Sequence, residues 1–337
     1  MINFLKNFNK FLKFKKNEKN FSRVIFNENI NTFKYLKNII NHNKKVTCVI
    51  SLENLGAHDK KNVEYYHFDN YFFLSLIFFF LKTKFLYSST PDLNFTIFRK
   101  SIYKKIKYIY IQHSPVSLSM AYKEKAFINF NAVQVINKNQ YSDLIDINNF
   151  YKKKIRPIKS KYYFVENSLK ITKTLNTKID YLIAPTWNTD FYKLNLHKEI
   201  FKILKDSNKS FVFRPHYMSI NKKEFSFNDL DLKRENIDLS SDLIFQNYQN
   251  LISDWSGIYL EFVIVNKKKP ILINSKMKVR NNNFRKFTMD PIELTMRDEL
   301  AIQFDVNKMN LLKKFLSNNA VDKKLSLKLD FLEKLRY

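Results

Sequence analysis

The stretch LISDWSGIYLEFVIVNKKKPILIN, residues 251–274, decides how the chain is read. Leu251-Ile252-Ser253-Asp254 is a short apolar run ending in polar residues, and Ser256-Gly257 is a small-residue turn. Ile258, Leu260, Phe262, Val263 and Ile264 then give an apolar-periodic segment, and Ile271-Leu272-Ile273 follows Pro270 as a second short run. Strand, tight turn, helix, strand is one unit of a parallel α/β sheet. Gly257 is one of only two glycines in the chain. Its place at a strand-to-helix junction implies that the backbone there comes close to something, and free N–H groups at a helix N-terminus favour an anion. The plainer alternative is that Ser256 caps the helix and Gly257 eases the turn. From this stretch alone the two readings stand level.

The same alternation recurs on both sides. Strands are expected over 22–26, 46–51, 85–88, 108–112 and 132–137, with a helix over 30–40. Further on come strands over 181–184 and 210–213, separated by a helix marked by Leu196, Ile200, Ile203 and Leu204. Residues 141–161 show no pattern, and Arg156-Pro157 followed by lysines is the expected joint. The fold class is therefore α/β, with two Rossmann-like domains, 21–160 and 161–337, facing a cleft; a last helix is expected over 325–337. The apolar run 71–81 is too short to span a bilayer, which takes about 20 residues. It reads as a buried helix, the alternative being a peripheral membrane contact.

At 337 residues the chain can bury two cores of ordinary size, and 45% hydrophobic content excludes a disordered chain. The formal charge of +28 invites a nucleic-acid reading. Its lysines are dispersed, however, and no zinc-finger spacing, RNP-type strand or GXXG loop accompanies them, so no specific nucleic-acid partner is expected. An anionic membrane surface or a polyanionic substrate accounts for the balance equally well. Cys48 stands alone, which excludes a disulfide framework and fits a reducing compartment. Residues 1–20 form a basic amphipathic segment, with Phe4, Leu5, Phe8, Phe11 and Leu12 at helical spacing among lysines and no signal-peptide pattern. A helix lying on an acidic bilayer is expected, at the inner face of the cell membrane, against the alternative of a helix packed on the domain it precedes.

Four polar clusters follow apolar runs: Gln112-His113-Ser114, Thr186-Trp187, Arg214-Pro215-His216 and Asp254-Trp255-Ser256-Gly257. Ligands of open α/β sheets sit beyond the carboxyl ends of strands. His113 suits a general base, or a hydrogen-bonded structural role. Arg214 beside His216 suits a diphosphate. Asp254 can hold a histidine, an amide or a ribose, or serve as a cap. Glu261 lies about two helical turns further on and can meet a ribose hydroxyl or a lysine. No HExxH, CxxC, P-loop or GxGxxG occurs, so neither zinc chemistry nor the commonest nucleotide folds are supported.

On these residues the chain resembles the CDP-glycerol glycerophosphotransferase family, which builds or primes wall teichoic acids and related capsular polymers. The likeness runs over 22–302. It is carried by YIYIQHSPVSLSMAYKEKAFINFNAVQVIN (108–137), FRPH (213–216), SDLIFQNYQNLISDWSGIYLEF (241–262) and MDPIELTMRDEL (289–300). The resemblance implies the GT-B arrangement, with an acceptor-side first domain and a second domain that binds a CDP-glycerol-like donor. It implies catalytic roles for His113 at the acceptor hydroxyl and for Arg214 and His216 at the donor phosphates. Thr186, Asp254, Ser256 and Gly257 would line the donor-binding turn and Glu261 the ribose. It further implies a lipid-linked or polymeric acceptor and leaves metal dependence open. The chain departs from the family's pattern at Ser114 and Asn188, where glycine is common, and at Tyr217, where proline is common; its SDWSG corresponds to the family's SD(Y/W)SS. A GT-B glycosyltransferase using a nucleotide-sugar is the alternative enzyme, and a polyanion- or membrane-binding module the alternative outside catalysis.

Overall fold

Short apolar runs without alternation suit strands buried on both faces, and the chain folds into two all-parallel sheets of this kind. The computed structural model describes residues 2–41, 46–55, 62–172, 175–240 and 242–317. The first sheet contains β1 (Arg23–Asn27), β2 (Thr47–Ser51), β3 (Val63–His67), β4 (Phe85–Ser88), β5 (Lys107–Tyr110), β6 (Ala132–Val135) and β7 (Arg156–Lys159). Their order is β3-β2-β1-β4-β5-β6-β7. The second sheet contains β8 (Ile179–Ile183), β9 (Phe211–Phe213), β10 (Tyr248–Ser253), β11 (Ile271–Asn274) and β12 (Ile302–Asp305), in the order β12-β11-β10-β8-β9. Strand order reverses between β1 and β4 and between β8 and β10, so each sheet has a switch point of the type that receives ligands. These are two Rossmann-like units, as the sequence leads one to expect.

The helix Ile258–Asn266 follows β10 and is buried from Tyr259 to Val265. It ends where Lys267 turns left-handed, at φ 55°. Residues 141–161, which carry no sequence pattern, hold most of the helix Lys138–Tyr151 and then β7. Asn137 starts that helix by accepting from the Gln140 N–H at 2.8 Å. Pro157 is tolerated in β7 because that strand is an edge, where a missing N–H breaks no inner ladder.

The N-terminal helix Ile2–Asn17 packs on the helix Tyr71–Phe79. The Phe73 ring sits 5.0, 6.2 and 6.1 Å from those of Phe4, Phe8 and Phe11. Phe14 is fully buried, and Asn7 Nδ2 donates to Asp69 at 2.6 Å. The outer face keeps Phe4, Leu5, Phe8 and Leu12 between 41% and 52% exposed, and Tyr71 and Phe72 beside them are also exposed. The run at 71–79 is thus half-buried, with Phe73, Leu74, Ile77 and Phe78 inward. Among the described residues no helix is long and apolar enough to cross a membrane. The helix expected over 325–337 lies outside the described residues.

After β11 the chain crosses to the first sheet's side. Phe287 joins the core of the first domain, Asn281 Nδ2 donates to Ser119 O at 2.8 Å, and Thr288 Oγ1 donates to Asp146 at 2.8 Å. One end of the cleft is stitched shut by this crossing.

Candidate active site

Every predicted strand-end cluster stands at the carboxyl edge of its sheet. His113 is three residues past β5, Thr186 three past β8, His216 three past β9, and Asp254 immediately past β10. The two edges face one another across a cavity of about 460 Å³, within the size range of small-molecule sites. His113, Ser114, Thr186, Arg214, His216, Ser256, Gly257 and Glu261 all line it.

The two histidines have different proton arrangements. His216 Nδ1 accepts the Met218 N–H at 3.1 Å, capping the helix Tyr217–Asn221. In the neutral ring its Nε2 therefore carries the hydrogen and is a donor. His113 Nδ1 lies 2.9 Å from Tyr110 Oη, whose hydroxyl leads on to Tyr122 at 3.3 Å and from there to Gln112 Oε1 at 3.2 Å. With the Tyr110 hydroxyl donating along this relay, His113 Nδ1–H donates to it and Nε2 accepts; with Tyr110 donating to His113 instead, Nε2 carries the hydrogen. Burial pushes His113 down to about 4, the Ser89 backbone opposing and Arg280 adding. Burial also pushes His216 down to about 3, helped by Lys278, His113 and Arg214. Each imidazole is neutral at neutral pH, and each lies within the other's electrostatic reach.

Glu261 is buried, and burial raises its carboxyl to about 7 against the pull of Lys34, Tyr162 and Arg214. Tyr162 Oη lies 2.6 Å from Glu261 Oε1 and 3.0 Å from His113 O. Its single hydrogen satisfies one of these, so a protonated Glu261 completes the chain by donating to the tyrosine. Lys34 of the first domain is lowered to about 8 by burial, with Glu261 opposing. Sequence reasoning named Glu261 but neither Tyr162 nor Lys34.

Three of the predicted residues are already engaged by protein groups. Arg214 Nη1 is paired with Asp238, and its Nη2 donates to Ser240 O at 2.8 Å, so its charge is already matched. Asp254 is fully buried; its carboxylate accepts the Thr186 N–H at 2.7 Å and the Thr189 hydroxyl at 2.9 Å, tying the ends of β10 and β8 together. Gly257 has an ordinary φ of −62°, and what comes close to it is protein. A Cβ there would lie 2.4 Å from Ser114 Oγ and 2.6 Å from Val116 Cγ1, both of the first domain. Ser256 Oγ is 3.5 Å from the Ile258 N–H, too far for a good cap. The N–H groups of Ser256 and Gly257 have no partner among the described residues and remain free for an acceptor in the cleft.

The loop that carries His113 is held from both domains. Gln140 Nε2 donates to Ser114 O and Val116 O, at 3.0 and 2.9 Å, and Asp143 accepts the Leu118 N–H at 2.7 Å. From the second domain's side Glu293 accepts the Ser117 N–H at 3.0 Å. Glu293 falls within the quoted segment 289–300, but nothing in its spacing marks it as a loop anchor.

No protein-family model matches the chain, and no curated protein matches it. Among solved structures, the wall teichoic acid polymerase TagF superimposes over 98% of this chain and 92% of its own, with TM-score 0.56 at 14% identity. A TagF variant soaked with CDPG gives TM-score 0.55 at 13% identity, over 98% and 91% of the two chains. The chain has the GT-B fold. In GT-B terms the first sheet presents His113, the second presents His216 and the helix N-terminus at Ser256, and the cleft is the space between them. No cluster of three or more His, Cys, Asp or Glu side chains suited to a metal occurs among the described residues.

Proposed function

We propose that this GT-B protein transfers a glycerol-phosphate, or a similar polyol-phosphate, from a CDP-linked donor to a hydroxyl of a lipid-linked or polymeric acceptor. The observation that carries the reading is the pair of neutral histidines that opposing domains bring to one cavity, His216 with a proton-donating Nε2; the reading takes His113 in the tautomer whose Nε2 accepts. The acceptor oxygen attacks the β-phosphorus of the donor while His113 takes its proton. The bond between that phosphorus and the bridging oxygen breaks, and the electron pair leaves with CMP. His216 Nε2–H and the free amides at Ser256 and Gly257 hydrogen-bond the phosphate oxygens as charge moves onto the leaving group. Glu261 is placed for the ribose. Arg214, fixed by Asp238, lines the donor's half of the cleft, while Asp254 and Thr186 shape the turn. The likeness to TagF, a wall teichoic acid polymerase, supports the reading.

The same reading puts the protein at the inner face of the membrane, with Phe4, Leu5, Phe8, Leu12, Tyr71 and Phe72 in the interface and the exposed Lys6, Lys13 and Lys16 on anionic headgroups.

Calorimetric titration with CDP, CDP-glycerol, CMP and UDP tests the donor. CDP and CDP-glycerol should bind, and CMP and UDP more weakly. Tighter binding of UDP than of CDP would favour the nucleotide-sugar glycosyltransferase, and no binding at all would return the protein to a polyanion- or membrane-binding module.

A further inference from the structure

We propose that Lys222, Lys278 and Arg280, gathered around Trp187, form a phosphate subsite beside His216, in addition to the amides at the start of the helix Ile258–Asn266. Lys222 Nζ lies 4.4 Å, Lys278 Nζ 4.6 Å and Arg280 Cζ 5.4 Å from the centroid of the Trp187 ring. The same ring is 6.3 Å from that of His216. Trp187, Lys278 and Arg280 line the cleft. The three cations arrive from two separate segments, one after the helix Tyr217–Asn221 and one after β11.

Three like charges around one indole repel one another, and a cation–π contact returns only a modest attraction to each. Lys278 donates to Thr186 Oγ1 at 2.7 Å, a neutral partner. Its ammonium is pushed down first by burial; Asp254 and Glu224 oppose this, and Arg280 and Lys222 add to it. Among the described residues no carboxylate lies within ion-pair distance of any of the three, and the Arg280 guanidinium has no hydrogen-bond partner. Arg214, the cation singled out by sequence, is matched by Asp238. An anion between the three would remove their repulsion and gain charge-assisted bonds. Donors converging from different segments suit the tetrahedral oxygens of a phosphate better than a planar carboxylate. Arg280 also links the domains: its N–H donates to Met120 O at 3.1 Å, and its charge is felt at His113. A phosphate held here lies between the groups that handle the two reactants.

That phosphate belongs either to the donor's diphosphate or to a phosphodiester of the acceptor chain; the site's position in the reaction rests on the transfer reading above. The test is calorimetry on the folded full chain, comparing wild type with Lys222→Gln/Arg280→Gln and with Lys278→Gln. The probes are CDP, CMP and glycerol 3-phosphate. A donor phosphate is indicated if CDP affinity falls at least tenfold and the gap between CDP and CMP closes. An acceptor phosphate is indicated if glycerol 3-phosphate affinity falls tenfold while CDP and CMP are unchanged. A wild-type protein that binds glycerol 3-phosphate but neither nucleotide, and loses it in the variants, keeps the subsite and sinks the CDP-linked reaction. The subsite is overturned if wild type binds none of the three, if all affinities stay within threefold in variants with unchanged thermal unfolding, or if Lys313→Gln/Lys314→Gln on a separate helix lowers them equally.

Discussion

In the proposed reaction His113 and His216 would divide a proton transfer, each having one ring nitrogen already engaged, at Tyr110 and at the Met218 amide. His216→Ala should leave the fold intact and lower turnover roughly 10²-fold or more; a folded variant with near-normal turnover on its donor would remove the histidine from the mechanism. Their low proton affinity has a signed consequence for stability. In the unfolded chain each takes its proton near 6.5, while in the folded protein His113 resists until about 4 and His216 until about 3. Over that window the unfolded state binds more protons, so these groups make the fold less stable as pH falls below about 6.5. Glu261, raised to about 7, works the other way over this window, so the test is a difference: between pH 7 and pH 5 the urea midpoint of wild type should fall relative to that of His113→Gln. Ring resonances of His113 titrating near 6.5 would contradict the account. The histidines were legible because a polar residue straight after an apolar run in a parallel strand must stand at the carboxyl edge. Lys278 and Arg280 were not, because among 59 lysines and arginines nothing local marks these as lining the cavity.

At the scale of elements, the N-terminal helix serves two surfaces at once. Phe14 enters the first core, so Phe14→Ala should cost about 3–5 kcal/mol in chemical denaturation, and deleting the helix would damage the fold as well as any membrane contact. Leu5→Glu/Leu12→Glu changes only half-exposed positions. That variant should keep its unfolding midpoint and lose sedimentation with anionic vesicles; unchanged sedimentation would leave the apolar face without a lipid role. Elements with long apolar runs or a clear helical stripe were readable in sequence, as β2 and the helix Leu196–Asp206 show. β7 was not, since Arg156 and Lys159 flank a proline, and only its edge position makes that composition a strand.

At the scale of the molecule, the cleft has one stitched end, where the segment after β11 and Glu293 anchor the loop of His113. Glu293→Gln keeps the size of the side chain but weakens the acceptor for the Ser117 amide. It should lower turnover with little change in the affinity for CDP, since in the proposed reaction the loop serves the acceptor; an equal loss in both would place Glu293 among the groups that bind donor. The contact between Gly257 and Ser114 bears on how this chain can vary. Across the cleft Ser114 Oγ and Val116 Cγ1 together occupy the space that a side chain at 257 would need. The motif it resembles has the reverse arrangement, glycine after the first histidine and serine at the position of Gly257. Gly257→Ser alone should therefore destabilise the chain, and Ser114→Gly/Gly257→Ser should recover part of the loss in thermal unfolding, the remainder belonging to Val116. The two positions form an epistatic pair: neither domain can drift at this point without the other, and the order in which the two changes arise decides whether the intermediate is viable.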